Sequence, residues 1–218
     1  LIYRTLSKSN DDILVQTPAY PPFLENPGPA GLNVLEVELA QTSQGNFEID
    51  FDGIDDINTA NSRLYILCNP HNPVGRVYTK AELERIAQFC LKNDLIICSD
   101  DIHCEIVYSG NRYLPIASLD QDISDRTITM LSPGKTFNIA DLKFSVAVIS
   151  DESIRKKLIS SRTELDIGPN KLGYMAALTA YSGCDAWHRE LLAYLEENRQ
   201  IVQESVRTEL PGIEMASP

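Results

Sequence analysis

The 218-residue chain is acidic, with 19 Lys and Arg against 31 Asp and Glu and a formal net charge of −12 at pH 7. Hydrophobic residues make up 43% of it, which is enough for one sizeable core and excludes global disorder. No cluster of Lys and Arg marks a surface for a phosphate backbone, so we expect no nucleic-acid partner. No apolar stretch approaches the ~20 residues of a membrane-spanning helix, and no charged-then-apolar leader opens the chain, so we expect a soluble protein.

Five short apolar runs bounded by polar residues predict buried strands. They lie at 13–17, 64–68, 95–98, 127–131 and 144–149. Between the second and third runs, Thr79 and Glu82 form a capping-box pattern that predicts a helix ending near Asn93. A strand–helix–strand order implies a right-handed crossover. The sequence therefore predicts an α/β fold with a mainly parallel sheet flanked by helices.

After Ser150 the pattern changes to helices, which we predict at about 151–164, 170–182 and 185–208. The last helix carries an apolar stripe and is expected to end at the Pro211-Gly212 pair. The stripe consists of Leu191, Leu192, Leu195 and Val202. The first and last residues, Leu1 and Pro218, are not typical of natural termini, so we expect a chain truncated at both ends.

The five cysteines show no paired spacing of the kind that binds a metal. Three of them lie within apolar runs, where a reduced thiol fills core volume. We therefore expect no metal site and a reducing, cytoplasmic location. The cysteines are Cys68, Cys90, Cys98, Cys104 and Cys184.

Polar segments follow three of the predicted strands, at 69–76 (NPHNPVGR), 99–103 (SDDIH) and 132–138 (SPGKTFN). In an open α/β sheet the ligand lies beyond the carboxyl ends of the strands. Each segment has an ordinary structural explanation, since Asn-Pro pairs make turns, an Asp caps a helix and a Lys is usually a surface charge. Together they bring an amide, a carboxylate and an amine to one crevice, which favours a functional site.

This trio matches the needs of a carbonyl cofactor. Such a cofactor uses an amine to form an imine, a carboxylate to keep a ring nitrogen protonated, and a hydrogen-bond donor beside a ring oxygen. The carboxylate matters most, because a protonated pyridine withdraws electrons from a carbanion at the substrate's α-carbon. Lys135, Asp100 and Asn72 are the candidates for these three tasks.

The three segments resemble the signatures of fold-type I enzymes that use pyridoxal 5'-phosphate (PLP), in the class I/II aminotransferase superfamily. Within it they look most like the cystathionine β-lyase and cystalysin branch of carbon–sulfur lyases, and the resemblance covers nearly the whole chain. It implies a PLP-transferase-like large domain in which Lys135 holds PLP as a Schiff base and later moves protons. It also implies that Asp100 pairs with the pyridine nitrogen, while Asn72 and His103 contact the phenolic oxygen.

The resemblance assigns further cofactor contacts and shows two departures. Tyr20 matches the aromatic residue that stacks on the PLP ring, and the alternative is a core tyrosine beside prolines. Ser132 and Lys143 match the phosphate contacts. Lys143 stands where many relatives have Arg, so a point charge replaces a bidentate fork. Asp141 stands where relatives usually have Gly, which places a negative charge and a less permissive backbone near the phosphate.

By the same resemblance, residues 1–165 are a partial PLP-binding large domain, and residues 166–218 are a helical segment that leads to a missing small C-terminal domain. The family's phosphate-binding glycine turn would precede Leu1, and its substrate-binding arginine would follow Pro218. A neighbouring subunit supplies another aromatic residue in this family, which implies a homodimer. We therefore expect this chain alone to bind PLP poorly and turn over little.

Three functions remain open. The first is α,β-elimination from L-cystathionine or a cysteine conjugate, an amino-acid substrate, to a thiol, pyruvate and ammonia. The second is an aminotransferase, which shares every residue named above. His71, His103 and the segment 136–138 favour the lyase over the transaminase. The third is a non-catalytic binding or regulatory module that keeps the scaffold.

Overall fold

A seven-stranded sheet forms the centre of the molecule in the computed structural model, which describes residues 1–43, 45–165, 168 and 170–216. The strands are β1 (Asp12–Thr17), β2 (Asn33–Gln41), β3 (Phe47–Ile49), β4 (Ser62–Cys68), β5 (Ile96–Asp100), β6 (Thr127–Leu131) and β7 (Val146–Ile149). The helices are α1 (Ile2–Leu6), α2 (Pro21–Glu25), α3 (Phe51–Asp55), α4 (Lys80–Lys92), α5 (Gln121–Ser124), α6 (Glu152–Glu164), α7 (Lys171–Gly183) and α8 (Asp185–Glu209). Short 3₁₀ turns lie at Gly28–Ala30, Ile116–Ser118 and Ala140–Leu142.

The strand order is β3-β2-β1-β4-β5-β6-β7, and the five central strands of this order run parallel to one another. Both edge strands, β3 and β7, are antiparallel to theirs. Asp100 is paired with Cys68 of β4 and with Met130 of β6. The carboxyl ends of β4, β5 and β6 therefore lie side by side, which confirms the predicted α/β architecture with a mainly parallel sheet.

Apolar residues on both faces of the sheet give two core clusters, as expected for parallel strands covered on both sides. Along β4, Leu64 and Ile66 point into one cluster, while Tyr65 and Leu67 point into the other. Helix α4 packs its buried residues, among them Leu83, Ile86 and Cys90, into the second of these clusters. Its N-terminus shows the complete capping box between Thr79 and Glu82, and its C-cap is the predicted Asn93.

The cysteines are free thiols, and the three in apolar runs are buried, as predicted; these are Cys68, Cys90 and Cys98. Burial raises the pKa of each of these three thiols, so they remain protonated at neutral pH. In the part of the chain that the structure describes, every helix is too short or too polar to span a lipid bilayer.

Two strands, the start of β7 and the exposure of α8 differ from the sequence predictions. The prediction omitted β2 and β3, because β2 alternates apolar residues with Glu36 and Glu38 instead of forming a continuous apolar run. It also began β7 two residues too early, at 144. Helices α6, α7 and α8 are confirmed within one residue at each end. The stripe on α8 is not a core face, since that helix contains no buried residue among those described and Val202 is 50% exposed.

Candidate active site

A cavity of about 270 Å³ opens at the carboxyl edge of the sheet, between the loops that follow β4, β5 and β6. Asn72, His103 and Lys135 each come from a different one of these loops and line it together. The predicted convergence of three strand ends is therefore present. The other lining residues are Pro70, His71, Pro73, Gly75, Val77, Ile106, Val107, Tyr108 and Asn111.

Lys135 is an exposed residue on a tight turn directly after β6. The Ser132 hydroxyl accepts the N–H of Gly134 at 3.0 Å and donates to the Phe144 carbonyl at 2.7 Å, which closes the turn. A β-carbon on Gly134 would lie 3.1 Å from both the Ser132 Oγ and the Ala140 Cα. The turn is thus tightly packed, which fixes the backbone position of Lys135 at the mouth of the cavity.

Asp100 ends β5 and is half-buried. Burial raises the pKa of its carboxyl above the ordinary value, while the Ile102 N–H and the positive charge of Lys135 oppose that rise. The pKa of His103 is lowered, first by burial and then by the charge of Lys135. Asp100 and His103 therefore both lie within electrostatic range of the lysine, and His103 is a neutral imidazole at neutral pH.

Asp101 follows Asp100 directly but has a different environment. Its side chain is 1% exposed, and its carboxylate accepts hydrogen bonds from Ser99 Oγ at 2.6 Å and from the Tyr113 hydroxyl. Burial raises the pKa of Asp101 to about 6. Neither Asp101 nor Tyr113 is among the predicted site residues. The sequence signal for a separate role of Asp101 is the pair of adjacent carboxylates. Consecutive side chains in extended backbone point to opposite sides of the strand, so Asp100 and Asp101 have different surroundings.

His71 is a buried scaffold residue, only 2% exposed. Its Nε2 lies 2.8 Å from the Pro18 carbonyl oxygen and must donate to it, so Nδ1 accepts from the Tyr78 hydroxyl at 3.0 Å. Burial lowers the pKa of His71 and keeps the ring neutral. The residue ties the loop after β1 to the loop after β4. Because both ring nitrogens are engaged, His71 gives little support for choosing the lyase over the transaminase.

Four of the predicted cofactor contacts do not line the cavity in the described part of the chain: Tyr20, Asp100, Ser132 and Lys143. Tyr20 is 43% exposed and meets Phe23 edge-on, so it is not a core tyrosine. The single Ser132 proton is already donated to Phe144. Lys143 is exposed and has a left-handed backbone (φ 50°). The roles of these residues toward a cofactor stay predictions.

The backbone around Asp141 explains how a non-glycine residue fits there. Asp141 lies within the 3₁₀ turn Ala140–Leu142, and the left-handed residue that ends the turn is Lys143 instead. Asp141 therefore needs none of the conformational freedom of glycine.

Gly173 allows helix α7 to approach this turn closely. Asn170 caps α7 through the Gly173 N–H and also donates to the Leu142 carbonyl at 2.8 Å. A β-carbon on Gly173 would lie 2.5 Å from the Leu142 carbonyl oxygen. We expect Gly173→Ala to lower the free energy of unfolding by about 1–3 kcal/mol, because the backbone must move to relieve the contact.

The matched control for this prediction is Gly183→Ala in the same helix, where an added β-carbon meets nothing within 4 Å. It should be neutral or stabilising by up to about 1 kcal/mol, because alanine favours helix over glycine. Urea unfolding of both variants measures the difference. Equal midpoints would show that the approach of α7 to Leu142 does not constrain residue 173.

Comparisons with known proteins agree with this geometry. The family model for aminotransferase class I and II matches residues 1–218. The chain belongs to the aminotransferase class I and II family. It is 33% identical over 217 residues to the cystathionine β-lyase PatB of Bacillus subtilis, covering 99% of this chain and 56% of that protein.

Two solved structures of the family show the same fold. Cystalysin from Treponema denticola, which contains PLP, superposes with a TM-score of 0.94 at 30% identity, over 99% of this chain and 56% of that one. An aromatic aminotransferase from Pyrococcus horikoshii OT3 superposes with a TM-score of 0.86 at 25% identity, over 100% of this chain and 58% of that one. The chain thus spans just over half the length of these relatives, with the fold that the sequence predicted.

No group of three or more His, Cys, Asp or Glu side chains is placed to hold a metal ion, within the residues that the structure describes.

Proposed function

We propose that the protein of which this chain forms part is a PLP-dependent carbon–sulfur β-lyase. The observation that carries the proposal is the position of Lys135, which shares one cavity with Asn72 and His103 and lies within electrostatic range of Asp100. The similarity to a cystathionine β-lyase and to cystalysin supports the lyase branch.

The residues that line this cavity, together with the Asp100 carboxylate within electrostatic range of Lys135, fit the ring end of PLP. A primary amine, a carboxylate, an amide and a neutral imidazole are the donors and acceptors that an aldehyde, a pyridine nitrogen and a phenolic oxygen require. The residues expected to bind the phosphate of PLP fit it less completely. The Ser132 hydroxyl must release the Phe144 carbonyl before it can donate to a phosphate oxygen. We assign the phosphate mainly to Lys143, with Ser132 as the secondary contact.

PLP supplies an aldehyde that forms an imine with an amine and a ring that, when protonated, accepts electron density from the substrate's α-carbon. Lys135 would hold this aldehyde and later take the proton from the α-carbon. Asp100 would keep a proton on the ring nitrogen, and Asn72 and His103 would contact the phenolic oxygen. Tyr20, exposed after β1, would stack on the ring.

Elimination from L-cystathionine breaks the bond between the β-carbon and sulfur after the α-proton has gone to Lys135. The thiolate leaves and gains a proton, and hydrolysis of the three-carbon remainder gives pyruvate and ammonia. The same residues serve a cysteine conjugate, since the chemistry requires only a β-carbon that carries a thiolate leaving group.

An aminotransferase is the second candidate, supported by the structural similarity to the aromatic aminotransferase. The two activities share removal of the α-proton and diverge after it. Elimination releases pyruvate without a second substrate, whereas transamination requires a keto acid.

We expect the full-length protein with PLP to release pyruvate and homocysteine from L-cystathionine with no keto acid present. Coupled assays for pyruvate and for free thiol measure both products in equal amounts. L-Alanine, which carries no β-leaving group, is the control substrate and should give no pyruvate. Turnover that depends on added keto acid would overturn the lyase proposal and favour the transaminase.

The arrangement of the whole protein is also a proposal. We assign residues 1–165 to a PLP-binding large domain and the helical segment 166–218 to the connection with a small domain. A cytoplasmic homodimer is consistent with the buried free thiols and with the large apolar side chains that α7 exposes. These exposed side chains are Leu172, Tyr174, Met175, Leu178 and Tyr181.

A further inference from the structure

The loop at residues 102–115, which we call the cavity loop, forms one wall of the cavity. It contributes His103, Ile106, Val107, Tyr108 and Asn111 to the lining. All of its residues are described, and they contain no helix or strand. A segment of this kind has no ladder of backbone hydrogen bonds to fix its position. Its position therefore depends on side chains that reach it from other elements.

Asp101 holds the cavity loop from the sheet side. Its buried carboxylate accepts the hydroxyl proton of Tyr113, near the far end of the loop. The next residue along the loop receives a weaker neutral contact, from Asn69 Nδ2 to the Leu114 carbonyl at 3.3 Å. Hydrogen bonds to a charged acceptor are roughly twice as strong as neutral ones. The contact between Tyr113 and Asp101 is therefore the stronger of the two.

Helix α8 holds the middle of the same loop from outside. His188 Nε2 donates to the Glu105 carbonyl at 2.8 Å, and the Arg199 guanidinium lies over the Tyr108 ring at 4.8 Å. The loop is thus attached near its start and middle by α8 and near its end by Asp101. Helix α8 also reaches Ser109, whose backbone N–H donates to the Glu196 carboxylate, and the Leu114 side chain packs against the core. Between these two points, the hydrogen bond from Tyr113 to the Asp101 carboxylate ties the loop to the sheet.

We propose that Asp101 is a positioning residue for substrate binding, because it fixes the cavity loop through Tyr113. This inference rests on the proposed function and names a further residue for the same site. The loop contributes Ile106 and Val107 to the cavity lining, which also includes Pro70, Pro73 and Val77. These apolar side chains suit the apolar part of an amino-acid substrate. Lys135 and Asp100 are placed by β6 and β5, so their chemistry does not depend on the loop.

The test compares Tyr113→Phe with Ser99→Ala in the full-length protein loaded with PLP. Each variant removes one hydroxyl that donates to the same Asp101 carboxylate, but only Tyr113 belongs to the cavity loop. We expect Tyr113→Phe to raise KM for L-cystathionine about tenfold and to leave kcat within about twofold. Ser99→Ala should leave KM within about twofold, although it too removes a hydrogen bond from a buried group.

Amide hydrogen exchange provides a second readout that does not depend on activity. Peptides covering 102–115 should exchange faster in Tyr113→Phe than in the unchanged protein, and Ser99→Ala should leave them unchanged. The inference fails if Tyr113→Phe alters neither KM nor exchange, or if the two variants behave alike. Absence of turnover in the unchanged protein would instead count against the proposed function, while hydrogen exchange would still decide the role of Asp101.

Discussion

Replacing Lys135 by alanine is expected to abolish covalent attachment of PLP and to reduce turnover of L-cystathionine by about 10²- to 10⁴-fold. The reason is geometric as well as chemical. Lys135 lines the cavity, and the packed turn from Ser132 to Gly134 fixes its backbone there. The Lys135→Ala substitution leaves only a methyl side chain, so it removes both the group that holds the aldehyde and the base that takes the α-proton.

Visible absorption of the full-length protein with PLP measures the first part of this prediction, and borohydride reduction followed by peptide mass analysis locates the attached group. The matched control is Lys92→Ala, an exposed lysine at the end of α4, which should keep both the absorption band and the activity. An unchanged band in Lys135→Ala would refute the assignment of this site. A normal band without turnover of any amino acid would support the non-catalytic module instead.

Replacing Asp100 by asparagine is expected to lower kcat by about 10²- to 10³-fold while PLP remains attached to Lys135. Asparagine keeps the size of the side chain but carries no charge, so it cannot stabilise a proton on the ring nitrogen. Burial raises the pKa of Asp100, and nearby positive charge opposes that rise. The positive charge of a protonated pyridine would lower the pKa of Asp100, as the charge of Lys135 does, and so hold the carboxyl in its charged form.

Steady-state kinetics of Asp100→Asn should be compared with those of Asp122→Asn, which changes an exposed carboxyl on α5. The control should retain kcat within about twofold, because solvent screens an exposed charge. A loss of less than about threefold in Asp100→Asn would show that Asp100 is not the partner of the ring nitrogen.

Local sequence patterns predicted the elements that place the site. The apolar runs before residues 69, 99 and 132 are strands β4, β5 and β6, and their parallel pairing brings Asn72, His103 and Lys135 to one cavity. The capping box of α4 also forms as predicted. Such features depend on residues within a few positions of each other, so they can be inferred without knowing the packing.

Other features depend on contacts between distant segments. Tyr113 reaches Asp101 across the cavity loop, and His71 joins the loops after β1 and β4 through Pro18 and Tyr78. The Ser132 hydroxyl closes the turn of Lys135, although its position in the motif predicted a phosphate contact. In each case the residue type allowed several roles, and only its neighbours in space distinguish among them.

The surroundings of Lys135 depend on both local sequence and long-range packing. Apolar periodicity and motif spacing are local properties, so the chain alone was enough to predict the strand ends, the order of the polar segments and the trio of amine, carboxylate and amide. Which of two adjacent carboxylates faces the lysine depends instead on the packing around β5. Backbone direction at the end of that strand leaves Asp100 within range of the Lys135 charge and buries Asp101 against Ser99 and Tyr113.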